Sequence, residues 1–311
     1  MKVLVTGGAG YIGSILVRYL IKNDYEVTVL DNFNFGQDHV FLDLLSHKKL
    51  NIIRGDVCSK KLLKNCVIKN DIIIPLAGIV GAPACDLNKN LATELNTNQI
   101  KNILDITSKN QIIIMPVTNS GYGIGKKNQK CTEESPLNPI SHYGITKVNA
   151  EKLITQKENF ISLRLATVFG ASNRMRTDLL VNDFTYKACK DKKILLYEPE
   201  FKRNYIHVRD VSLAMIYCID NFDNLKNNIY NLGLEDANLS KMELCLTIKK
   251  YLPELKIEVN NFAKDPDKRD YIVSNQKILA TGWKPSFTID DGIVELIKCY
   301  DALKLQDTKN V

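Results

Sequence analysis

Short runs that are apolar throughout alternate along this chain with longer stretches whose apolar residues recur at helical spacing. Ile72-Ile73-Ile74 and Ile112-Ile113-Ile114 have no polar face, as parallel strands covered on both sides require. The pattern predicts strands at residues 2–5, 26–30, 51–54, 71–76, 111–117 and 161–165. Amphipathic helices are predicted between them, most clearly at 12–21, 90–108 and 141–157. Regular β/α alternation implies an α/β, doubly wound parallel sheet with its ligand at the carboxyl ends of the strands. Beyond Gly170 the pattern loosens into a predicted helix at 174–190, extended pieces over 193–209, a helix at 211–219, and short segments at 240–251, 274–280 and 289–300. We read a first domain over 1–170 with a return near 203–232. A smaller lobe, 171–202 and 233–311, would cover the strand ends. Residues 305–311 are polar and expected to fray.

The first strand breaks into Thr6-Gly7-Gly8-Ala9-Gly10-Tyr11-Ile12-Gly13. Gly8, Gly10 and Gly13 fit G-x-G-x-x-G, and Gly7, Gly10 and Gly13 fit G-x-x-G-x-x-G. Either way, missing side chains let the backbone turn sharply and approach a pyrophosphate at the helix N-terminus. An ordinary βα turn is the competing reading. Asp31, ending the second predicted strand, stands where an acid grips a ribose 2′-hydroxyl. Strand, turn, helix and acid together favour a dinucleotide-binding, Rossmann-type domain.

With 45% apolar and 25% charged residues, the composition is that of an ordinary soluble globular protein. No apolar run approaches the roughly 20 residues that span a bilayer, and the N-terminus enters a strand directly, so neither membrane anchoring nor a signal peptide is expected. Eight scattered cysteines with no C-x-x-C pair argue against structural zinc and fit a reducing cytoplasm, so no metal is expected. The net charge of +7 is spread along the chain and reads as a solvated surface that also favours anionic ligands. Basic and aromatic residues do not interleave as in single-strand grooves, so no nucleic-acid partner is expected.

Tyr143 and Lys147 form a Y-x-x-x-K, as do Tyr122/Lys126 and Tyr186/Lys190. The spacing puts both side chains on one helix face, where an ammonium can stabilise a phenolate and make it a base. Tyr122 lies in a glycine-broken loop, and Tyr186 lies beyond the nucleotide domain. Tyr143 opens a helix behind Pro139 and a possible cap, Ser141. It follows a strand whose carboxyl end delivers Thr118 and Ser120.

Taken together these stretches resemble the extended short-chain dehydrogenase/reductase family, in particular its NAD-dependent nucleotide-sugar epimerases and dehydratases. The resemblance covers nearly the whole chain. It runs through the glycine motif, Asp31-Asn32, Gly55-Asp56-Val57, Pro75-Leu76-Ala77-Gly78, Tyr122-Gly123, Tyr143 with Lys147, Leu163-Arg164, Arg203-Asn204-Tyr205-Ile206-His207-Val208 and Gly282-Trp283-Lys284-Pro285. It implies NAD bound by Gly7, Gly10, Tyr11, Ile12, Gly13, Asp31, Asn32, Asp56, Val57, Leu76, Ala77, Gly78 and Asn96. Asn32, where an arginine would favour NADP, argues for NAD. The resemblance also implies Tyr143 as the base at a sugar hydroxyl, usually at C4, and Lys147 as the group holding the nicotinamide ribose. The family's catalytic Ser/Thr lies five residues before the glycine of its Tyr-Gly pair, which gives Thr118. His207 reads as structural and Arg203 as a contact to the substrate diphosphate. Arg174, Arg176 and Arg269 are further phosphate candidates, Ser120 a sugar contact, and Glu198 a base contact chosen by position. A homodimer packed through the helices at 90–108 and 141–157 is also implied.

Three departures matter. Asn119 and Ser120 replace the acidic pair of the 4,6-dehydratases, so dehydration is disfavoured. Thr167 stands where galactose-type epimerases usually carry Asn. The arginine expected before the final helices is displaced, with Lys264 before Asp265-Pro266-Asp267 and Arg269 after. The loop 79–85 and segment 174–180 resemble a branch acting on unusual bacterial surface sugars, containing the GDP-heptose 4-dehydrogenases. The expected activity is therefore NAD-dependent 4-dehydrogenation of a nucleotide sugar in polysaccharide biosynthesis. A 4-epimerase is the alternative, and a non-catalytic NAD-binding regulator the reading from another class.

Overall fold

The computed structural model describes residues 1–126, 128–260 and 269–302. Its centre is a parallel sheet of seven strands: β1 (Lys2–Thr6), β2 (Glu26–Asp31), β3 (Leu50–Arg54), β4 (Ile72–Pro75), β5 (Ile112–Thr118), β6 (Phe160–Leu165) and β7 (Asn228–Leu232). The spatial order is β7-β6-β5-β4-β1-β2-β3, so the direction of winding reverses between β1 and β4. The carboxyl ends at that reversal form the crevice where such sheets bind ligands. Successive residues feed two cores. Val3 and Val5 pack with Leu16, Leu20, Met215 and Ile219, while Leu4 packs with Ile73, Ile103, Met115 and Ile154 on the other face.

A third core, including Phe169, Phe184, Ile194, Tyr205, Leu244, Leu296 and Tyr300, builds the second lobe. Strand Lys202–His207 pairs there with Thr167–Phe169 and Asn238–Ser240, and Lys193–Leu196 pairs with Lys256–Val259. The chain then returns to the main sheet through helix Val208–Asp220, which packs on helix Gly13–Lys22, and through β7.

Two helical expectations change. The helix expected from 174 begins only at Leu180 and runs to Lys190. Upstream, Asn182 accepts the Gly170 N–H at 3.0 Å and donates to the Arg176 carbonyl at 2.8 Å, so side-chain bonds hold 170–179 in a loop. The helix expected over 90–108 is interrupted by a π-helical stretch, Glu94–Asn98, between Lys89–Thr93 and Gln99–Ile106. Asn96, at its centre, is fully buried. The extra residue of a π turn re-aims a side chain inward. Lys264 to Asp267 and the tail at 305–311, which was expected to fray, lie outside the described residues. No helix among the described residues is long and apolar enough to cross a membrane.

Candidate active site

At the end of β1 the chain turns at Gly7, with φ +68°. A Cβ there would sit 2.5 Å from the Ala77 nitrogen, so only glycine fits. A Cβ on Gly13 would lie 2.6 Å from Gly7 O and Gly8 Cα, which presses the helix start onto the turn. The Gly7 N–H bonds Leu30 O at 2.8 Å. Ile12 precedes helix Gly13–Lys22 and supplies no side-chain cap. Ser14 N–H already bonds Gly10 O at 2.9 Å, but the N–H groups of Tyr11, Ile12 and Gly13 have no acceptor among the described residues and so remain for a ligand at the helix start.

Asp31 is 7% exposed. It accepts from Ala9 N at 2.9 Å and Phe33 N at 2.8 Å. Burial raises its pKa, opposed by those two N–H groups and the charges of Arg54 and Arg174. The carboxylate is thus aimed by backbone across the mouth of the turn. Asn32 and Asp56 are exposed beside it, and Val57 is buried. Leu76, Ala77 and Gly78 follow β4, and Asn96 holds this loop from behind. Its oxygen accepts Ile79 N at 3.0 Å, and its nitrogen donates to Ile79 O at 2.9 Å and Thr146 Oγ1 at 3.1 Å. Tyr11 donates to Gly170 O at 2.7 Å and so ties the glycine turn to the second lobe. These features fit a dinucleotide.

The reactive end is assembled from three segments. Thr118 ends β5, where its Oγ1 accepts Ser120 N at 3.1 Å and donates to Ser120 Oγ at 3.0 Å. Tyr143 and Lys147 lie on helix His142–Ile154, whose start is capped by Ser141 Oγ accepting Gly144 N at 3.2 Å. Glycines bring helix and turn together: a Cβ on Gly144 would be 3.2 Å from Ser120 O, and one on Gly121 2.9 Å from Val148 Cγ2. The third segment brings Arg269, which donates to Ser120 Oγ.

Burial pushes Tyr143 up to about 12, opposed by its hydrogen bond with Thr118 and by the charges of Arg269 and Arg176. Lys147 lies one turn on along the same helix. Its ammonium lies against the loop after β4, 3.8 Å from where a Gly78 Cβ would stand. Burial lowers Lys147 to about 8. The ligand-free pair is therefore a protonated phenol facing Thr118 and a desolvated amine facing the loop.

The Tyr122/Lys126 and Tyr186/Lys190 pairs do different work. Tyr122 is buried, with its hydroxyl 2.6 Å from Asn231 Oδ1, while Lys126 is exposed. Tyr186 sets its ring edge against Tyr300 at 5.3 Å, and Lys190 donates to Tyr300 O at 2.8 Å. His207 is fully buried, with Nε2 2.9 Å from Glu295 Oε2 and its ring stacked on Phe287 at 4.5 Å. That setting fits the structural reading.

The substrate candidates separate. Arg269 and Ser120 meet beside Tyr143. Arg176 is buried and bonds Asp178 through Nε at 3.0 Å. Arg203 is buried, donates to Lys202 O at 2.8 Å, and lies over the Tyr271 ring at 5.6 Å. Glu198 is half-buried in a bend with φ +47°. Arg174 lies elsewhere, over Phe35 at 4.4 Å.

Sequence reasoning missed the network behind helix His142–Ile154. Arg164 Nη2 bonds Glu151 Oε1 at 2.7 Å, Nη1 bonds the Tyr122 hydroxyl at 3.0 Å, and Ser162 Oγ bonds Glu151 at 3.0 Å. Glu151 lies two turns beyond Tyr143 in the row of Lys147, and Arg164 is the one charge in the strand Phe160–Leu165. Those two charges were the available signal. Asn119, whose amide is buried with neither atom paired, was read only as the absence of an acid.

A family model described as "NAD dependent epimerase/dehydratase family" matches residues 3–233. A putative UDP-glucose 4-epimerase of Methanocaldococcus jannaschii is 26% identical over 95% of this chain and 97% of its own length. UDP-glucuronic acid decarboxylase 3 of Arabidopsis thaliana is 29% identical over 94% of this chain and 87% of its own. The solved structure of Thermus thermophilus UDP-glucose 4-epimerase with NAD aligns at a TM-score of 0.83 and 23% identity, covering 97% of this chain and 99% of that one, and shows the same fold.

Proposed function

The chain belongs to the NAD-dependent epimerase/dehydratase family, and we propose that it oxidises the C4 hydroxyl of a nucleoside-diphosphate sugar using bound NAD. The meeting of Thr118, Tyr143 and Lys147 beside a dinucleotide cradle carries this reading. NAD, held at the glycine turn, Asp31, Asn32, Asp56, Val57 and the 76–78 loop, supplies the hydride acceptor. Thr118 bonds the reacting sugar oxygen and fixes its direction. Tyr143 takes the hydroxyl proton through its phenolic oxygen. Lys147 bonds the nicotinamide ribose, and its charge then favours the phenolate. Asn96 acts through the loop it holds. Arg269, Arg203 and Ser120 face the substrate, and Glu198 meets its base. Neither Asn119 nor Ser120 can shuttle the proton that a 4,6-elimination needs, which argues against dehydration.

The finer reading is net 4-dehydrogenation of a GDP-heptose-type sugar, supported by the resemblance of loop 79–85 and segment 174–180. The full-length 4-epimerase relative supports the second reading, in which the hydride returns to the other face of the keto sugar. Absorbance in the NADH band during incubation with UDP-, GDP- and dTDP-sugars, followed by NMR of the products, separates them. Net NADH, or turnover only with an added keto-acid acceptor, means a dehydrogenase. A C4-inverted sugar without net NADH means an epimerase. No turnover with any sugar, with NAD still bound, would favour a regulator.

Leu87, Leu91 and Ile145 are 76%, 44% and 42% exposed on helices Ala82–Leu87, Lys89–Thr93 and His142–Ile154. These apolar positions support a homodimer, which a monomer in light scattering at micromolar concentration would contradict.

A further inference from the structure

Arg174 belongs by sequence to the second lobe, between strand Thr167–Phe169 and helix Leu180–Lys190. Its guanidinium nevertheless lies over the ring of Phe35, 4.4 Å from the centroid, in the loop that follows β2. The residue is 7% exposed. Among the described residues its guanidinium makes no hydrogen bond and no ion pair. A guanidinium that is largely desolvated and has no protein acceptor is costly, so an anionic partner fits there. Arg176, two residues on, has one in Asp178, so the two arginines are not equivalent.

The segment carrying Arg174 is pinned to the start of helix Gly13–Lys22. Ser172 Oγ donates to Tyr11 O at 2.7 Å and lies 3.0 Å from Ser14 Oγ. From that anchor the side chain reaches the loop after β2, close enough that Arg174 and Asp31 each bias the ionisation of the other. Arg174 thus stands beside the helix start and the ribose acid, on the cofactor side of the cleft.

We propose that Arg174 bonds the pyrophosphate of the bound dinucleotide and joins the second lobe to the cofactor, in place of holding the substrate diphosphate. This rests on the dinucleotide reading above. A guanidinium fork matches two phosphate oxygens, while Asp31 is left for the ribose hydroxyls. Stacking on Phe35 holds the fork in place before the ligand arrives, which lowers the ordering cost of binding. Cofactor release then requires the 171–179 segment to move.

Calorimetry on the full chain with NAD, ADP-ribose, adenosine, UDP and GDP tests this in wild type, Arg174→Met and Arg174→Lys. In the Met variant NAD and ADP-ribose should weaken by about tenfold or more, as for loss of a bidentate phosphate contact. Adenosine, UDP and GDP should bind within about twofold of wild type. The Lys variant keeps charge without the fork and should fall between, which also serves if the Met variant folds poorly. Unchanged NAD binding in both variants overturns the proposal, as does a loss confined to UDP or GDP. A wild type that binds neither NAD nor ADP-ribose would overturn the cofactor reading with it, whereas a wild type that binds NAD with indifferent variants overturns this proposal alone.

Discussion

At the dinucleotide end of the cleft the ligand would meet mostly backbone: glycine N–H groups, an uncapped helix start, and a carboxylate aimed by the Ala9 and Phe33 amides. At the reactive end it would meet side chains from β5, helix His142–Ile154 and the segment at Arg269. The first is rigid by covalent geometry and needs few residue types. The second depends on how three elements pack, and so on Gly144, Gly121 and the Glu151–Arg164 pair behind them. Binding and chemistry should therefore fail separately when each end is damaged.

The sharpest way to break that separation is Tyr143→Phe. It removes one hydroxyl, which faces Thr118, and leaves the glycine turn untouched. Turnover should fall by about 10²–10⁴, the range for loss of a positioned proton acceptor, with NAD affinity nearly unchanged. Steady-state kinetics beside calorimetry reads both. Near-normal turnover would remove Tyr143 from the mechanism.

Gly13→Ala is the converse. Its Cβ would meet Gly7 O and Gly8 Cα at 2.6 Å, backbone atoms that cannot rotate away. NAD affinity should fall by more than about tenfold and stability by about 1–3 kcal/mol, as for overpacking a tight site. Chemical denaturation and NAD titration measure the two. A variant that binds NAD as well as wild type would mean the turn is not the pyrophosphate cradle.

The same contrast explains what could be read in advance. Gly7, Gly10, Gly13 and Asp31 are adjacent in the chain or one βα unit apart, and their chemistry follows from spacing alone. Six strands of the central sheet were legible because short apolar runs mark parallel strands, while β7 was anticipated only as a return of the chain near 203–232. Tyr143 was separable from Tyr122 and Tyr186 by the strand and cap around it. What was not legible depended on tertiary packing. The loop at 170–179 looks helical until Asn182 binds its backbone. The π turn at Asn96 exists because a buried amide must reach Ile79 and Thr146. Lys147 shares a helix face with Tyr143, and its ammonium reaches the Gly78 loop, a contact that spacing alone does not give. Spacing reports which face a side chain leaves from, and packing decides where its charge ends.

That last point gives the smallest effect and tests the reactive end as a stability cost. Burial holds Lys147 at about 8, below its ordinary value near 10.4. At neutral pH the ligand-free fold therefore keeps a desolvated charge that the unfolded chain hydrates freely. Between about 8 and 10.4 the unfolded state binds more protons than the folded one, so the cost shrinks as pH rises through that window. Lys147→Met removes it. The variant should unfold at higher temperature than wild type near pH 7 without cofactor, by the equivalent of about 1–3 kcal/mol. The gain should fade towards pH 10, with other ionisations cancelling between the two proteins. Thermal melts of both across that range provide the measurement. A less stable variant at pH 7, or a difference independent of pH, would mean that Lys147 finds a partner before the cofactor arrives. In that case the reactive end is already as settled as the glycine turn.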